Sequence, residues 1–121
     1  WGHASSIDLL HWEHHPTGLD VAAEDPDRGI FSGNAFVNKE GQPTILYHGV
    51  NVGNCIAVSE DDDLVYWKKS DRNPIVPIPK PEDPEYRRYD SWDPHGWLEG
   101  DDYYAIFGGN PGTGTVSTLF K

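Results

Sequence analysis

One carboxylate in this chain lies among side chains that restrict its direction. Asp93 lies between a tryptophan and a proline in the stretch YDSWDPHGWLEGDDYYAIFGG, residues 89–109. The proline biases Asp93 towards extended backbone conformations, which limits the directions its side chain can take. A carboxylate so fixed can accept hydrogen bonds from two sugar hydroxyls and oppose positive charge on an oxocarbenium-like centre. Trp92 and Trp97 can offer apolar ring surface beside it. The alternative is that Asp93 only braces a strand, since Asp-Pro commonly opens turns.

Two further residues near Asp93 are candidates for the same chemistry. His95 follows Asp93 by two residues and would share its face on an extended chain, so it is the histidine that we expect near a pocket. Glu99 is less suitable as a partner carboxylate, because the two carboxyl groups of an enzyme that cleaves glycosidic bonds with retention lie roughly 5–5.5 Å apart. It lies in a predicted hairpin turn at the far end of the strand that starts near Asp93.

The remaining polar clusters do not predict a metal site. In the stretch HWEHH, a strand would send His14 and His15 to opposite faces, whereas metal ligands must converge. The acidic runs at 24–27 and 60–63 are interpreted as solvated turns, with cation binding as the weaker alternative. Cys55, the single cysteine, is expected to be a small core residue on a strand.

Composition limits the size of the protein and the class of its partners. The 121 residues suffice for one domain or part of one. Nine Lys and Arg against twenty Asp and Glu give a net charge of −11, which disfavours nucleic acid and membrane surfaces as partners and favours a neutral polar ligand. No apolar stretch predicts a membrane span or a signal peptide, so a soluble protein is expected. The sequence leaves the compartment open, with a secreted or periplasmic location slightly favoured. The chain starts at Trp1 and lacks methionine, which suggests processing or excision.

Short apolar runs separated by turn residues predict an all-β fold. The segments 31–50 and 95–109 both read as strand, turn and strand. The segments Ala4–Trp12 and Ala57–Trp67 share the pattern Ala-x-Ser, acidic turn, Leu-x-x-Trp, and a repeat of about 50 residues with several strands is typical of β-propeller blades. We therefore expect about two blades: the end of one at 1–30, a second at 31–79 and the start of a third at 80–121.

A proline-rich stretch separates the second and third predicted blades. Residues 73–89 contain five prolines, which donate no ladder hydrogen bonds, so this stretch cannot be a central strand. It is expected to connect the blades as a solvated linker, or alternatively to cross the face of the propeller and shape a pocket.

Five motifs in order give the chain a resemblance to the family 32 glycoside hydrolases, which include invertases, inulinases and levanases. These motifs are WGHASSIDLLHWEHHP (1–16), FSGNAFV (31–37), GNCIAVSEDDDLVYWKK (53–69), NPIV (73–76) and WDPHGWLEG (92–100). The resemblance implies a five-bladed β-propeller with the active site at a central funnel. It also implies retaining hydrolysis of glycosidic bonds in fructose-containing saccharides, without a metal or an organic cofactor.

The resemblance also assigns roles to residues. Asp93 matches the aspartate that stabilises the transition state, while the family's nucleophile and general acid fall outside these 121 residues, so the isolated chain is expected to be inactive. Phe31 and Ser32 match a motif whose ring and hydroxyl line the sugar pocket, although an ordinary start of a strand is the alternative. Trp92 stands where the family usually has arginine, which is a departure from the family's pattern. Trp92 and His95, the latter from its spacing after Asp93, complete the predicted substrate contacts.

The sequence leaves three functional hypotheses. The first is a segment of a family 32-like hydrolase whose partners are a neutral carbohydrate and the remaining blades of a parent chain. The second, motivated by Trp92, is a carbohydrate-binding propeller without catalysis. The third is a propeller fragment that covers its exposed strand edges by forming a homo-oligomer.

Overall fold

The computed structural model describes residues 1–112 and 114–121, and these residues form β-strands, turns and loops without a helix. The prediction of an all-β fold is confirmed. No helix in the described part of the chain could therefore cross a membrane. The strands are β1 His3–Ser5, β2 Glu13–His15, β3 Ile30–Val37, β4 Pro43–Gly49, β5 Gly53–Ser59, β6 Trp67–Lys69, β7 Val76–Pro77, β8 His95–Glu99, β9 Asp102–Gly109 and β10 Val116–Phe120.

The strands form three antiparallel sheets in chain order. The first sheet is the β1–β2 hairpin, the second has the order β3-β4-β5-β6, and the third has the order β8-β9-β10. The proline-rich connector contributes only β7, whose two residues pair with Gly53 and Asn54 at the start of β5. The prediction that this segment is not a central strand is confirmed, because β7 lies on the outer side of β5, away from β4.

Both predicted hairpins are present, and turn residues explain them. Between β3 and β4 the side chain of Asn38 accepts hydrogen bonds from the N–H groups of Glu40 and Gln42 at 3.0 and 2.8 Å. Gly41 in that turn has a φ of +79°, which a residue without Cβ adopts readily. Gly100, with a φ of +59°, serves the same purpose between β8 and β9.

The two segments with similar sequences fold into matching loops. In each, an aspartate carboxylate accepts hydrogen bonds from the two backbone N–H groups that precede the tryptophan, at distances between 2.6 and 3.1 Å. The indole N–H then donates to the carbonyl of a leucine with positive φ three residues earlier. The sequence likeness therefore reflects one loop structure used twice, by Asp8, Leu9 and Trp12 in the first loop and Asp61, Leu64 and Trp67 in the second.

Two apolar cores hold the sheets. The core of the second sheet's inner strands contains Leu19, Ile45, Tyr47, Cys55 and Ala57, with Trp1 and Trp67 packed against it. Cys55 is a buried core residue on β5, as predicted. Burial and the nearby negative charge of Asp27 raise the pKa of its thiol to about 11. A second core, which joins the connector to the third sheet, is formed by Val76, Tyr89 and Phe107.

A buried charge cluster closes one side of the first core. Asp27 is 1% exposed, and its carboxylate accepts hydrogen bonds from the Tyr47 hydroxyl and the Lys69 ammonium, both at 3.1 Å. Lys69 also bonds to Asp25, and this contact holds the pKa of Asp25 below its usual value. Because a buried carboxylate needs a partner, the cluster ties the segment before β3 to β4 and β6. The interpretation of the acidic run at 24–27 as a solvated turn is therefore wrong for Asp27.

Candidate functional site

The starts of β3 and β8 lie side by side at one end of the second and third sheets. The side-chain amide of Asn34 on β3 accepts a hydrogen bond from the Gly96 N–H at 2.7 Å and donates one to the Gly96 carbonyl at 2.8 Å. A Cβ on Gly96 would lie 2.7 Å from Leu46 Cδ2, so this close approach requires glycine. Phe31 precedes Asn34 by three residues and Asp93 precedes Gly96 by three, so this clamp brings both to the same end.

Three rings at this end form a contiguous aromatic wall, made of Phe31, His48 and Trp92. The ring centroids of His48 and Trp92 are 4.5 Å apart, and Phe31 lies 6.0 Å from each of them. His48 is 1% exposed, whereas Phe31 and Trp92 are 48% and 44% exposed. The buried imidazole therefore supports two half-exposed rings, which can present apolar surface to a ligand.

A bulge turns Phe31 and Ser32 out of the β3 ladder. The register of β3 on β4 shifts between Ile30 and Gly33, which leaves these two residues without opposite partners. A Cβ on Gly33 would lie 1.9 Å from the Leu46 carbonyl, so glycine permits the close approach that the bulge needs. The Trp1 indole N–H donates to the Phe31 carbonyl at 2.9 Å, and Trp1 and Ser32 border an open depression of about 490 Å³.

The segment that carries Trp92 and Asp93 is anchored at alternate residues. The Tyr89 hydroxyl donates to the Pro77 carbonyl at 3.0 Å. The Ser91 side chain is fully buried; its Oγ accepts from the Asn54 N–H and donates to the Val76 carbonyl, both at 2.9 Å. Asp93 is exposed, and within the described residues no group hydrogen-bonds to its carboxylate, which is therefore available to a ligand.

Of the five residues predicted to form the site, four lie together and His95 lies apart. Phe31 and Trp92 are in contact, while Ser32 and Asp93 adjoin them in the chain. His95 is exposed on β8, with its ring 6.1 Å from that of Trp97. Because successive strand residues face opposite ways and Gly96 faces the second sheet, His95 lies on the other face of the third sheet.

Two residues of this region were not singled out by the sequence reasoning. Trp1 opens the first of the five motifs, and its position there was a usable signal. His48 gave none, because a histidine near the end of a strand has the same appearance whether it packs in a core or supports a site. Its contact with Trp92 joins two residues that are far apart in the sequence.

The other candidate groups lie away from this region. Glu99 ends β8, six residues after Asp93, which corresponds to about 20 Å of extended chain. His11 bonds to Asp8, and His15 Nε2 lies 2.7 Å from the Ser5 hydroxyl. Among the residues that the structure describes, no three His, Cys, Asp or Glu side chains are grouped as metal ligands would be.

Known sequences and structures agree on one family. The glycosyl hydrolases family 32 N-terminal domain matches residues 1–121. Sucrose-6-phosphate hydrolase of Escherichia coli is 32% identical over 134 aligned residues, which cover the whole chain and 26% of that protein. An insoluble β-fructofuranosidase isoenzyme of Arabidopsis thaliana is 34% identical over 83 residues, 63% of this chain and 14% of its own length. The chain thus spans about a quarter or less of these relatives.

A solved structure agrees with the sequence relatives. Fructan 1-exohydrolase IIa from Cichorium intybus superimposes with a TM-score of 0.77 and 27% identity, over 98% of this chain and 23% of that one. A variant of that enzyme, also with a TM-score of 0.77, was solved in complex with 1-kestose. The three sheets are accordingly about two blades of a five-bladed β-propeller, as predicted.

Proposed function

This chain belongs to glycosyl hydrolase family 32, and from that membership we propose that the full-length protein is a retaining glycoside hydrolase of fructose-containing oligosaccharides or polysaccharides. The observation that carries the proposal is the exposed carboxylate of Asp93 beside the aromatic wall, at the end where two blades meet. The relatives named above are β-fructofuranosidases, sucrose-6-phosphate hydrolases and a fructan exohydrolase, which supports the same substrate class.

The proposed roles follow from the chemistry of each group. Asp93 accepts hydrogen bonds from sugar hydroxyls and stabilises the positive charge of the oxocarbenium-like transition state. Phe31 and Trp92 pack against the C–H face of the sugar, and their rings exclude water that would weaken the electrostatic interaction. The Ser32 hydroxyl donates to the sugar. His95, on the other face of the third sheet, contacts the part of the substrate that extends towards the next blade.

A buried positioning role is proposed for His48. The imidazole lies beneath Trp92, and its Nδ1 is 3.4 Å from Asn54 Oδ1 in a fully buried setting. Because Trp92 stands where the family usually has arginine, its ring depends on packing and not on an ion pair for its orientation. The wall is therefore preorganised before the sugar binds, which reduces the entropy cost of binding.

A carbohydrate-binding propeller without catalysis is the second candidate function, and the tryptophan at position 92 favours it. An arginine next to Asp93 would hold the carboxylate by charge, whereas an indole ring cannot. Both candidates require the same aromatic wall. They differ in whether Asp93 acts during bond cleavage.

Hydrolysis assays on the full-length protein with sucrose, inulin and levan test the proposal. We expect turnover of at least one substrate, and a fall in kcat of about 10²–10³-fold in Asp93→Asn, as for loss of one preorganised transition-state contact. Asp101→Asn, the same change in the exposed turn at the opposite end of the third sheet, is the control and should retain activity. Binding of a fructan without turnover would favour the second candidate, and neither binding nor turnover would contradict both.

A further inference from the structure

The proline-rich connector and the loop that follows β9 border a separate open pocket, which we call the rim pocket. Its volume is about 320 Å³, and the side chains in it that can bind a ligand are those of Tyr86, Arg87, Asp90 and Asn110. None of these residues belongs to the aromatic wall. Tyr86 and Arg87 belong to the connector, for which the sequence left a solvated linker and a pocket-forming loop as alternatives, and Asn110 follows β9.

Strand pairing places the rim pocket at the same end of the third sheet as Asp93. His95 at the start of β8 pairs with Ile106 on β9, so the end of β9 and the residues that follow it lie next to Asp93. The Asn110 N–H donates to Asp90 Oδ2 at 3.2 Å. Asp90 precedes Asp93 by three residues, a span of at most about 11 Å. A short oligosaccharide that begins at Asp93 can span the distance from Asp93 to Asp90.

The side chains of the rim pocket suit a neutral sugar. Tyr86 is 41% exposed, and the Arg87 guanidinium lies 5.5 Å from the centroid of its ring. Within the described part of the chain no carboxylate forms a salt bridge with Arg87, whereas the adjacent Arg88 pairs with Glu85 at 3.2 Å. An exposed ring can take the apolar face of a sugar, and an unpaired guanidinium can donate to two neighbouring hydroxyls.

The backbone at Arg87 adopts an unusual conformation. Its φ is +66°, in the left-handed region that residues with a Cβ rarely adopt. Such a conformation persists where the surrounding structure imposes it. Here the turn is imposed by two neighbouring backbone bonds, from Tyr86 N–H to the Asp83 carbonyl and from Arg88 N–H to the Glu85 carbonyl. These bonds separate the two arginines, so that Arg88 bonds to Glu85 while Arg87 borders the rim pocket.

We propose that the rim pocket is an outer carbohydrate subsite, which binds a neutral sugar unit of an oligosaccharide whose cleaved bond lies at Asp93. This inference rests on the proposed function and extends it: the protein prefers substrates longer than a disaccharide. Tyr86 supplies the stacking surface, and Arg87 supplies hydrogen-bond donors. A longer oligosaccharide extends further from Asp93 across the rim pocket than sucrose does.

The test compares Arg87→Asn with Arg72→Asn in the full-length protein. Asparagine tolerates positive φ, so R87N removes the guanidinium without adding backbone strain. Arg72 is exposed in the segment between β6 and β7, and R72N is the matched control. We expect R87N to lower kcat/KM for fructo-oligosaccharides of four or more units about tenfold, the effect of one charge-assisted hydrogen bond. For sucrose its kcat/KM should stay within about twofold of wild type, as should both values of R72N.

A binding measurement separates failure of the subsite from failure of the proposed function. Retardation in native gels that contain inulin should be weaker for R87N than for wild type and R72N. Equal kinetic effects on long and short substrates, or unchanged kinetics with unchanged retardation, would overturn the subsite while the hydrolase function stands. If no fructoside is hydrolysed but R87N still weakens retardation, the subsite stands and the hydrolase function fails. Absence of hydrolysis with equal retardation of all three proteins would overturn both.

Discussion

The hydroxyl of Ser91 is expected to be the main anchor of the segment that carries Trp92 and Asp93. In Ser91→Ala, the Asn54 N–H and the Val76 carbonyl each lose a hydrogen bond of 2.9 Å inside a fully buried region. A buried backbone group left without its partner costs about 1–3 kcal/mol, so the two losses together amount to about 2–6 kcal/mol of local stability. The cavity left by one oxygen atom adds little to this sum.

Native-state amide hydrogen exchange in the full-length protein measures this effect at its source. In the Ser91→Ala variant the free energy of opening reported by the Asn54 amide should fall by about 2–6 kcal/mol. Because the anchor also positions Asp93, kcat/KM should fall by about 10–100-fold, as expected for a misplacement of about 1 Å.

Ser70→Ala is the matched control for this prediction. The Ser70 hydroxyl accepts a single hydrogen bond from Arg72 N–H, at 3.2 Å in an exposed turn, so its loss should change stability by less than about 0.5 kcal/mol. Unchanged protection of the Asn54 amide in Ser91→Ala would refute the reasoning. Equal effects of both substitutions on activity would refute the positioning role.

Three further outcomes are expected. Lys69→Met leaves the buried carboxylate of Asp27 without its cation and should lower the free energy of unfolding by about 3–5 kcal/mol, measured by urea denaturation; an unchanged midpoint would contradict the charge cluster. Asn34→Asp replaces the amide donor to the Gly96 carbonyl by a carboxylate, so the melting temperature and kcat/KM should both fall, and a rise in either would count against the clamp between the blades. Cys55, whose pKa is raised to about 11, should not react with a thiol reagent at pH 8 until the protein unfolds; rapid labelling of the native protein would contradict its burial.

Local signals were sufficient to predict the strands. Alternating apolar residues and turn residues such as Gly41 and Gly100 identified both hairpins, and the prolines of the connector excluded a central strand. The burial of Cys55 was also predictable, because a small apolar residue in a strand-like run usually packs in the core. Each of these signals lies within a few residues of the feature that it predicts.

The contacts that assemble the site could not be predicted, because the residues that make them are common types in common sequence surroundings. Asn34 bonds to Gly96 across 62 positions, and Ser91 bonds to Asn54 across 37. An asparagine on a strand and a serine before a tryptophan are common in loops and exposed strands, so neither indicates a buried partner. His48 was missed for the same reason, since only its contact with Trp92 distinguishes it. The candidate role of Asp93 came from the family motif, because its neighbours alone also fit a turn.

The aromatic wall makes the candidate site depend on the contact between blades. Phe31 belongs to the second sheet and Trp92 precedes the first strand of the third, yet their rings touch edge to face at 6.0 Å. The His48 ring is 6.0 Å from Phe31 and 4.5 Å from Trp92, and being buried it leaves them little freedom to move separately. A shift of one blade against the other would therefore open the wall and move Asp93 away from it. A fixed contact between the blades keeps the carboxylate and the aromatic wall in one geometry, which is a physical reason for the Asn34–Gly96 clamp three residues beyond Phe31 and Asp93.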